Sequence, residues 1–409
     1  METMIDEKLS IDKTNWTPVK FGDVVFEPKE SSKNPHADGI EHVVGLEHIE
    51  PENIHLKNSA TLEESTTFTK RFAIGDVLFG RRRAYLKKAA QASFSGICSG
   101  DITVFRANEK LMSELLPFIV NNEKFFDYAV KHSAGGLSPR VKFKDLANYE
   151  FLLPPKDQQA QLAKLLWAID DVIEKERTVL SKIERIKQIE YLNAFMNGKK
   201  VNRADDIVLP NNSWKLVSIK EVVPDIEYGI SISIPSNQNP KGIPIISTAE
   251  IDREGNLDYS IVRSINYAKM NDRVTLHSGD VLFNWRNSAE LIGKSAIFNQ
   301  PENDQRDYTF ASFILRMRCD EESMHNKYLM HLFNFYRISE IFLGLARRAV
   351  NQANFNKNEV YDLKIPVPPY NIQLEIMERI DQVEASKKTC LDKISSSQSL
   401  QKSLINQVF

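Results

Sequence analysis

Residues 365–371 read IPVPPYN and lead into a helix-like run. A Pro-Pro-aromatic stretch in that setting suits one chemistry, methyl transfer to an exocyclic amino group. The residue before Pro-Pro then offers a side-chain oxygen to the target amino group, and the aromatic stacks on the flipped base. Val367 stands at the acceptor position here and has no oxygen to offer. A second Pro-Pro, in FLLPPKDQQ (151–159), is preceded by Leu153 and has Lys156 in the aromatic slot. No Gly-rich loop follows a strand in a way that would hold S-adenosylmethionine. The expectation is structural: Pro-Pro ends a strand and starts a helix, because proline suits a first helical turn and forces an extended residue before it.

Other chemistry-bearing groups fare no better. His36, His42, His48 and His55 gather in one stretch but lack tight ligand spacing or a cysteine partner. VPDIEYG (223–229) starts like a nuclease site, but no Glu/Asp-x-Lys follows in a suitable strand. Cys98, Cys319 and Cys390 are dispersed and odd in number, which fits a reducing, cytoplasmic setting. The opening METMIDEKLS has no apolar segment of a signal peptide, and no apolar run is long enough for a membrane span. Lys+Arg 53 against Asp+Glu 55 gives a formal charge of −2, so any nucleic-acid surface must be local.

The elements that would position a site are duplicated. Trp16-TPVKFGDVV aligns with Trp214-KLVSIKEVV, 198 residues on. Gly75-Asp-Val-Leu-Phe79 recurs as 279–283, an offset of 204, and Lys88 falls on Lys294 at 206. The Pro-Pro pairs, 154–155 and 368–369, lie 214 apart. Two copies of about 200 residues therefore fill the 409-residue chain. Each runs through strands (EHVVGLEHI or IPIISTAEI, GDVLF, ITVFRA or FILRMR), then a helical run such as LMSELLPFIVNNEKFFDYAV, a polar loop, a last strand (YEFLLP or VYDLKIPVP) and a long helix. The fold class expected is α/β (α+β), duplicated.

Each long helix carries an apolar stripe. Leu166, Ile169, Ile173, Leu180 and Ile183 follow three- and four-residue steps in the first, which stops at Asn197-Gly198. Leu165, Val172, Val179 and Ile186 add a second stripe. Ile376, Ile380, Val383, Cys390, Ile394 and Leu404 do the same in the second helix, with Lys387 interrupting. Helices of about 40 residues are about 60 Å long. Neither buries its stripe alone, so an antiparallel pair is expected, the alternative being a helical hairpin within one domain.

The ordered double set resembles the specificity subunit of a Type I restriction–modification system, over about 15–200 and 213–409. The carriers are the Trp opening each half, GDVLF, and the Pro-Pro-x-x-x-Gln helix entry. The resemblance implies target-recognition domains at 1–153 and 199–367, and spacer helices at 154–198 and 368–409 forming a coiled coil within a pseudo-twofold repeat. It implies a non-catalytic chain that binds double-stranded DNA and docks two methyltransferase subunits, with restriction subunits in the full complex. S-adenosylmethionine, ATP and magnesium would sit on those partners. Two departures are the basic RRRAYLKK after GDVLF and the Ser-rich Ser395–Ser399.

Two loops in each copy have the chemistry to hold DNA. The first follows GDVLF: Arg81, Arg82, Arg83, Tyr85, Lys87 and Lys88 in copy one, and Trp285, Arg286, Asn287 and Lys294 in copy two. Arginine forks read guanine or clamp phosphate, and aromatics stack. The second loop precedes the last strand: Ser138, Arg140 and Lys142, against Arg347, Arg348, Asn351, Gln352 and Asn354. Asn and Gln pair with adenine edges. Matching flanks around unlike loops predict an asymmetric bipartite target. The competing readings are solvated surface loops, and a duplicated assembly scaffold whose α/β halves bind proteins.

Overall fold

The computed structural model describes residues 12–62, 67–196, 209, 212–234, 241–345, 347–349 and 352–409. The chain divides into two compact units, 1–179 with 390–409, and 180–389. Each long helix therefore contributes one part to each unit.

In the first unit, Ile102–Ala107 lies between Val77–Gly80 and Val25–Phe26 in a five-stranded sheet, with Ala89–Ala92 and His55–Leu56 beyond. In the second, Ile314–Arg318 lies between Val281–Asn284 and Asp225–Tyr228, with Ser295–Ile297 outermost in a four-stranded sheet. GDVLF and its neighbour, Ile102–Ala107 or Ile314–Arg318, are thus inner strands in both. Gly75 and Gly279, at φ +87° and +97°, make the turn into GDVLF in the left-handed region open to glycine. The aspartates after them bind the neighbouring strand. Asp76 takes Arg106 Nε at 2.7 Å, and Asp280 takes Arg318 Nε at 3.0 Å.

The opening and closing strands of each copy pair antiparallel, Thr17–Lys20 with Glu150–Leu153 and Lys215–Ser218 with Lys364–Val367. Pro-Pro then starts the long helices, Lys156–Met196 and Tyr370–Val408. The Gln of Pro-Pro-x-x-x-Gln fastens this junction in the same way twice. Gln159 is buried, donates to the carbonyls of Pro154 and Lys110, and accepts from Met112 N. Gln373 is buried, donates to Pro368 and Ser323, and accepts from His325 N. IPVPPYN is a strand-to-helix junction.

The helices run antiparallel within each unit. In the first, Asp170 meets Gln401 and Glu176 meets Ser397. In the second, Glu184 meets Lys387, Lys187 meets Glu384, and Glu190 meets Arg379. Lys387 interrupts the apolar stripe because it forms an ion pair across the seam. Leu166, Ile173, Ile376, Ile380, Cys390, Ile394 and Leu404 are buried, while Ile169, Leu180, Ile183 and Val383 are half-buried. Leu165, Val172, Val179 and Ile186 are exposed in this chain. The last turns of each helix enter a globular core. Tyr191, Phe195 and Met196 join the second unit's core, and Leu404, Ile405, Val408 and Phe409 join the first's.

Three sequence expectations need correction. EHVVGLEHI is strand only at Val43–Val44; Gly45 N then donates to His48 Nδ1 and closes a turn. LMSELLPFIVNNEKFFDYAV breaks at Asn121-Asn122, where the Asn122 side chain caps a new helix, Glu123–Lys131. VYDLKIPVP is strand only from Lys364, because Asn356 and Glu359 cap a short helix, Lys357–Asp362, ahead of it. The expected stop at Asn197-Gly198 lies outside the described residues.

Candidate nucleic-acid interface

The two loops chosen from sequence come together in each unit. In the first, Arg82 and Arg140 form an antiparallel bridge, and Val141 N donates to the Arg81 carbonyl at 3.0 Å. In the second, Arg286 and Asn287 pair with Asn354 and Ala353, and Phe355 N donates to the Trp285 carbonyl at 2.9 Å. Arg347–Ala349 adds a third strand to that ladder.

The first cluster is organised around a residue that sequence reasoning missed. Asp101, just before the central strand, accepts from Arg140 Nε at 2.8 Å and Arg82 Nη1 at 3.2 Å. Burial raises its carboxyl pKa, but the bonds from Arg140 and Arg82 outweigh that and hold it below its ordinary value. Arg82 Nη2 also donates to Ser138 Oγ at 3.1 Å. Of the three arginines in Gly80-Arg-Arg-Arg, Arg82 is therefore the one paired with a carboxylate among the described residues, and it shares that carboxylate with Arg140. The outward groups are Arg83 and Tyr85 on one loop and Lys142 on the other, all exposed. Between Ala134 and Arg140, which exchange two backbone hydrogen bonds of 2.9 Å, the tip presents Leu137 at 97% exposure. Lys87, at φ +49°, turns its ammonium toward Glu52 and Glu123. Arg81 is half-buried, with Nε lacking a hydrogen-bond partner.

The second cluster is more aromatic. The Arg286 guanidinium lies 5.1 Å from the centre of the Phe313 ring. Trp285 stands edge-on to Phe313 and Tyr228, with its indole N–H on the Ser312 carbonyl at 2.7 Å. Trp285 is thus chiefly a packing residue that shapes the loop. Asn287 and Asn354 are half-buried beside it. Arg347, Arg348 and Gln352 have backbone positions in the small sheet, and Asn351 lies outside the described residues.

Lys294 does not belong to this surface. It is buried and donates to the carbonyls of Thr248 and Ile251, and burial pushes its ammonium pKa down. Lys88 does the same job in the first unit, donating to the Leu46 carbonyl at 2.7 Å while half-buried. Both tie a loop to the sheet. The histidine stretch forms no metal cluster among the described residues; His55 instead binds Asp170 at 2.6 Å.

Fold and loops define a duplicated, helix-linked binding protein, with the same three segments converging in each unit and unlike side chains on them. The family model for the Type I restriction modification DNA specificity domain matches residues 13–185 and 211–396. The chain belongs to that family, a DNA specificity domain rather than a catalytic one. Similar relatives include the putative type I restriction enzyme MjaX specificity subunit of Methanocaldococcus jannaschii, 29% identical over 40% of this chain and 37% of the relative. The type I restriction enzyme EcoKI specificity subunit of Escherichia coli K12 is 20% identical over 73% of this chain and 63% of the relative. The matches thus span less than two thirds of either relative's length. Among solved structures, a chain from a type I R-M system described for its complex assembly and conformational transition superposes with a TM-score of 0.58 at 20% identity, covering 96% of this chain and 97% of that one. The type I S subunit from M. genitalium gives 0.54 at 10% identity, covering 97% and 96%. Both share the fold. No helix among the described residues is long and apolar enough to cross a membrane.

Proposed function

We propose that this chain is the DNA-recognition subunit of a cytoplasmic Type I restriction–modification complex. Each α/β half reads one half of an asymmetric bipartite site. The carrying observation is the pairwise convergence of unlike loops on matching scaffolds, within a DNA specificity family. Side chains that differ at equivalent places imply different half-sites. The antiparallel helices set the spacing and dock two methyltransferase subunits, on which S-adenosylmethionine acts. Restriction subunits with ATP and magnesium join the full complex. The domain limits that go with this reading are 1–153 and 199–367 for the readers, and 154–198 and 368–409 for the spacers.

The test is a comparison of adenine methylomes with and without the gene, in a host carrying the methyltransferase partner. Loss of one split motif is expected; an unchanged methylome refutes the reading. Exchanging residues 1–150 with those of a relative should change one half of the motif, and change in both halves refutes the assignment of one unit to one half-site.

A further inference from the structure

At the tip of the first unit's second loop, Leu137 is 97% exposed, more than any other large apolar side chain among the described residues. Single exposed leucines are common on proteins. This one is set apart by the way its loop is held. The leg that follows it is fastened to the Arg81–Arg83 loop. Ser138 Oγ accepts from Arg82 Nη2 at 3.1 Å and from Arg83 Nη2 at 3.5 Å. Arg83 N donates to the Pro139 carbonyl at 2.8 Å, and Val141 N to the Arg81 carbonyl at 3.0 Å. Ala134 and Arg140 close the loop with their two backbone hydrogen bonds. Gly135, at φ +117°, makes the turn in a conformation that favours glycine. An anchored loop thus holds an apolar side chain out into water.

The surroundings of the tip are cationic. Arg83, Arg140 and Lys142 are exposed on the same two loops. Such cations hold phosphates and set the register of a protein on a duplex without reading sequence. Arg82 already has its guanidinium on Asp101 and Ser138. A group that reads bases has to reach past these side chains, and Leu137 stands at the tip. The loops of the two units are equivalent: Arg140 pairs with Arg82 as Asn354 does with Arg286, and Asp101 precedes its central strand as Phe313 does. Where the second unit's hairpin has Arg347, Arg348, Gln352 and Asn354 in its legs, the first has Gly-Gly-Leu at its tip.

We infer that Leu137 is a specificity-determining residue of the first unit, and that it reads a thymine C5-methyl group in the major groove of its half-site. The inference rests on the recognition reading above. The thymine methyl is the apolar group that base edges present in that groove, and at about 12 Å wide the groove admits a two-legged loop.

The test uses the full chain in complex with its methyltransferase partners, and duplexes carrying the motif found by methylome sequencing. Exchange of residues 1–150 identifies the half-site read by the first unit. Each thymine there is replaced in turn by deoxyuridine, which lacks only the methyl group. One replacement should weaken wild-type binding roughly four-fold, the effect of one buried methyl group. Leu137→Ala should bind the thymine duplex about as weakly as the wild type binds that uracil duplex, and should no longer tell the two apart. Leu137→Met should keep the preference, and uracil in the other half-site should affect all three proteins alike. Thermal melting of Leu137→Ala should match the wild type, because the side chain is outside the core. Wild-type indifference to every uracil in that half-site overturns the inference. So does a uracil penalty that persists in Leu137→Ala, or a loss in Leu137→Ala that is equal on motif and scrambled duplexes. Loss of the methyltransferase subunits from Leu137→Ala on gel filtration makes the tip a protein contact and also overturns it. A wild-type complex with no preference for the motif overturns the recognition reading itself, an outcome distinct from a motif-reading complex that ignores the thymine methyl.

Discussion

Lys294→Met separates a scaffold lysine from a DNA-binding one. Lys294 is 6% exposed and its ammonium holds two backbone carbonyls, those of Thr248 and Ile251. Hydrogen bonds from a charged group contribute about 1.5–3 kcal/mol each, and a carbonyl left without its donor carries a desolvation cost. Methionine keeps the stem's packing and removes the burden of a desolvated ammonium, which offsets part of the loss. A net destabilisation of about 2 kcal/mol is expected. Lys88→Met provides an internal standard: one carbonyl and a half-buried side chain give about 1 kcal/mol. The assay is urea denaturation beside binding to a motif duplex over a range of salt. Folded Lys294→Met should show the wild-type slope of log affinity against log salt. If its denaturation midpoint is unchanged while that slope falls by about one phosphate contact, Lys294 touches DNA and the scaffold assignment is wrong.

Gln373→Leu removes three hydrogen bonds from a buried junction and should lower the second unit's stability by about 3 kcal/mol in urea denaturation; a loss below about 1 kcal/mol would show that water replaces the amide there. Deleting residues 404–409 strips Leu404, Ile405, Val408 and Phe409 from the first unit's core, so limited proteolysis should find that unit opened, and intact resistance would contradict the packing. His331 is buried against the Tyr191 hydroxyl at 2.9 Å, and burial pushes its pKa from 6.5 down to about 3. Because the unfolded chain takes up this proton first, the group's effect on stability is constant above about 6.5, and stability falls as pH drops from there toward 3, by at most about 1.4 kcal/mol per pH unit. His331→Gln should flatten that slope in urea midpoints measured at several pH values, and an unchanged slope would exclude His331 as its source.

The scaffold was legible because the copies report on each other. Gly75-Asp76 and Gly279-Asp280 repeat because a left-handed glycine and a strand-binding aspartate are both needed to enter the central sheet. Gln159 and Gln373 repeat because one amide satisfies three backbone groups where a buried helix begins. Periodicity found the long helices but missed the break at Asn122 and the short helix capped by Asn356, where side-chain caps override apolar spacing. It also marked Leu165, Val172, Val179 and Ile186 as apolar without showing which stripe faces the partner helix.

Residue type alone does not tell a lysine that holds the frame from one on the loop surface. Lys88 and Lys294 looked like DNA contacts because they are basic and near GDVLF, yet their identity in both copies already pointed to a shared structural task. A residue that reads different half-sites should differ between copies; a residue that holds the common frame should not. The same logic would have flagged Asp101, which no composition argument selects because an acid is an unlikely DNA ligand. Its counterpart is Phe313, and the two share no chemistry: Asp101 accepts from Arg82 and Arg140, whereas the Phe313 ring centre lies 5.1 Å from the Arg286 guanidinium.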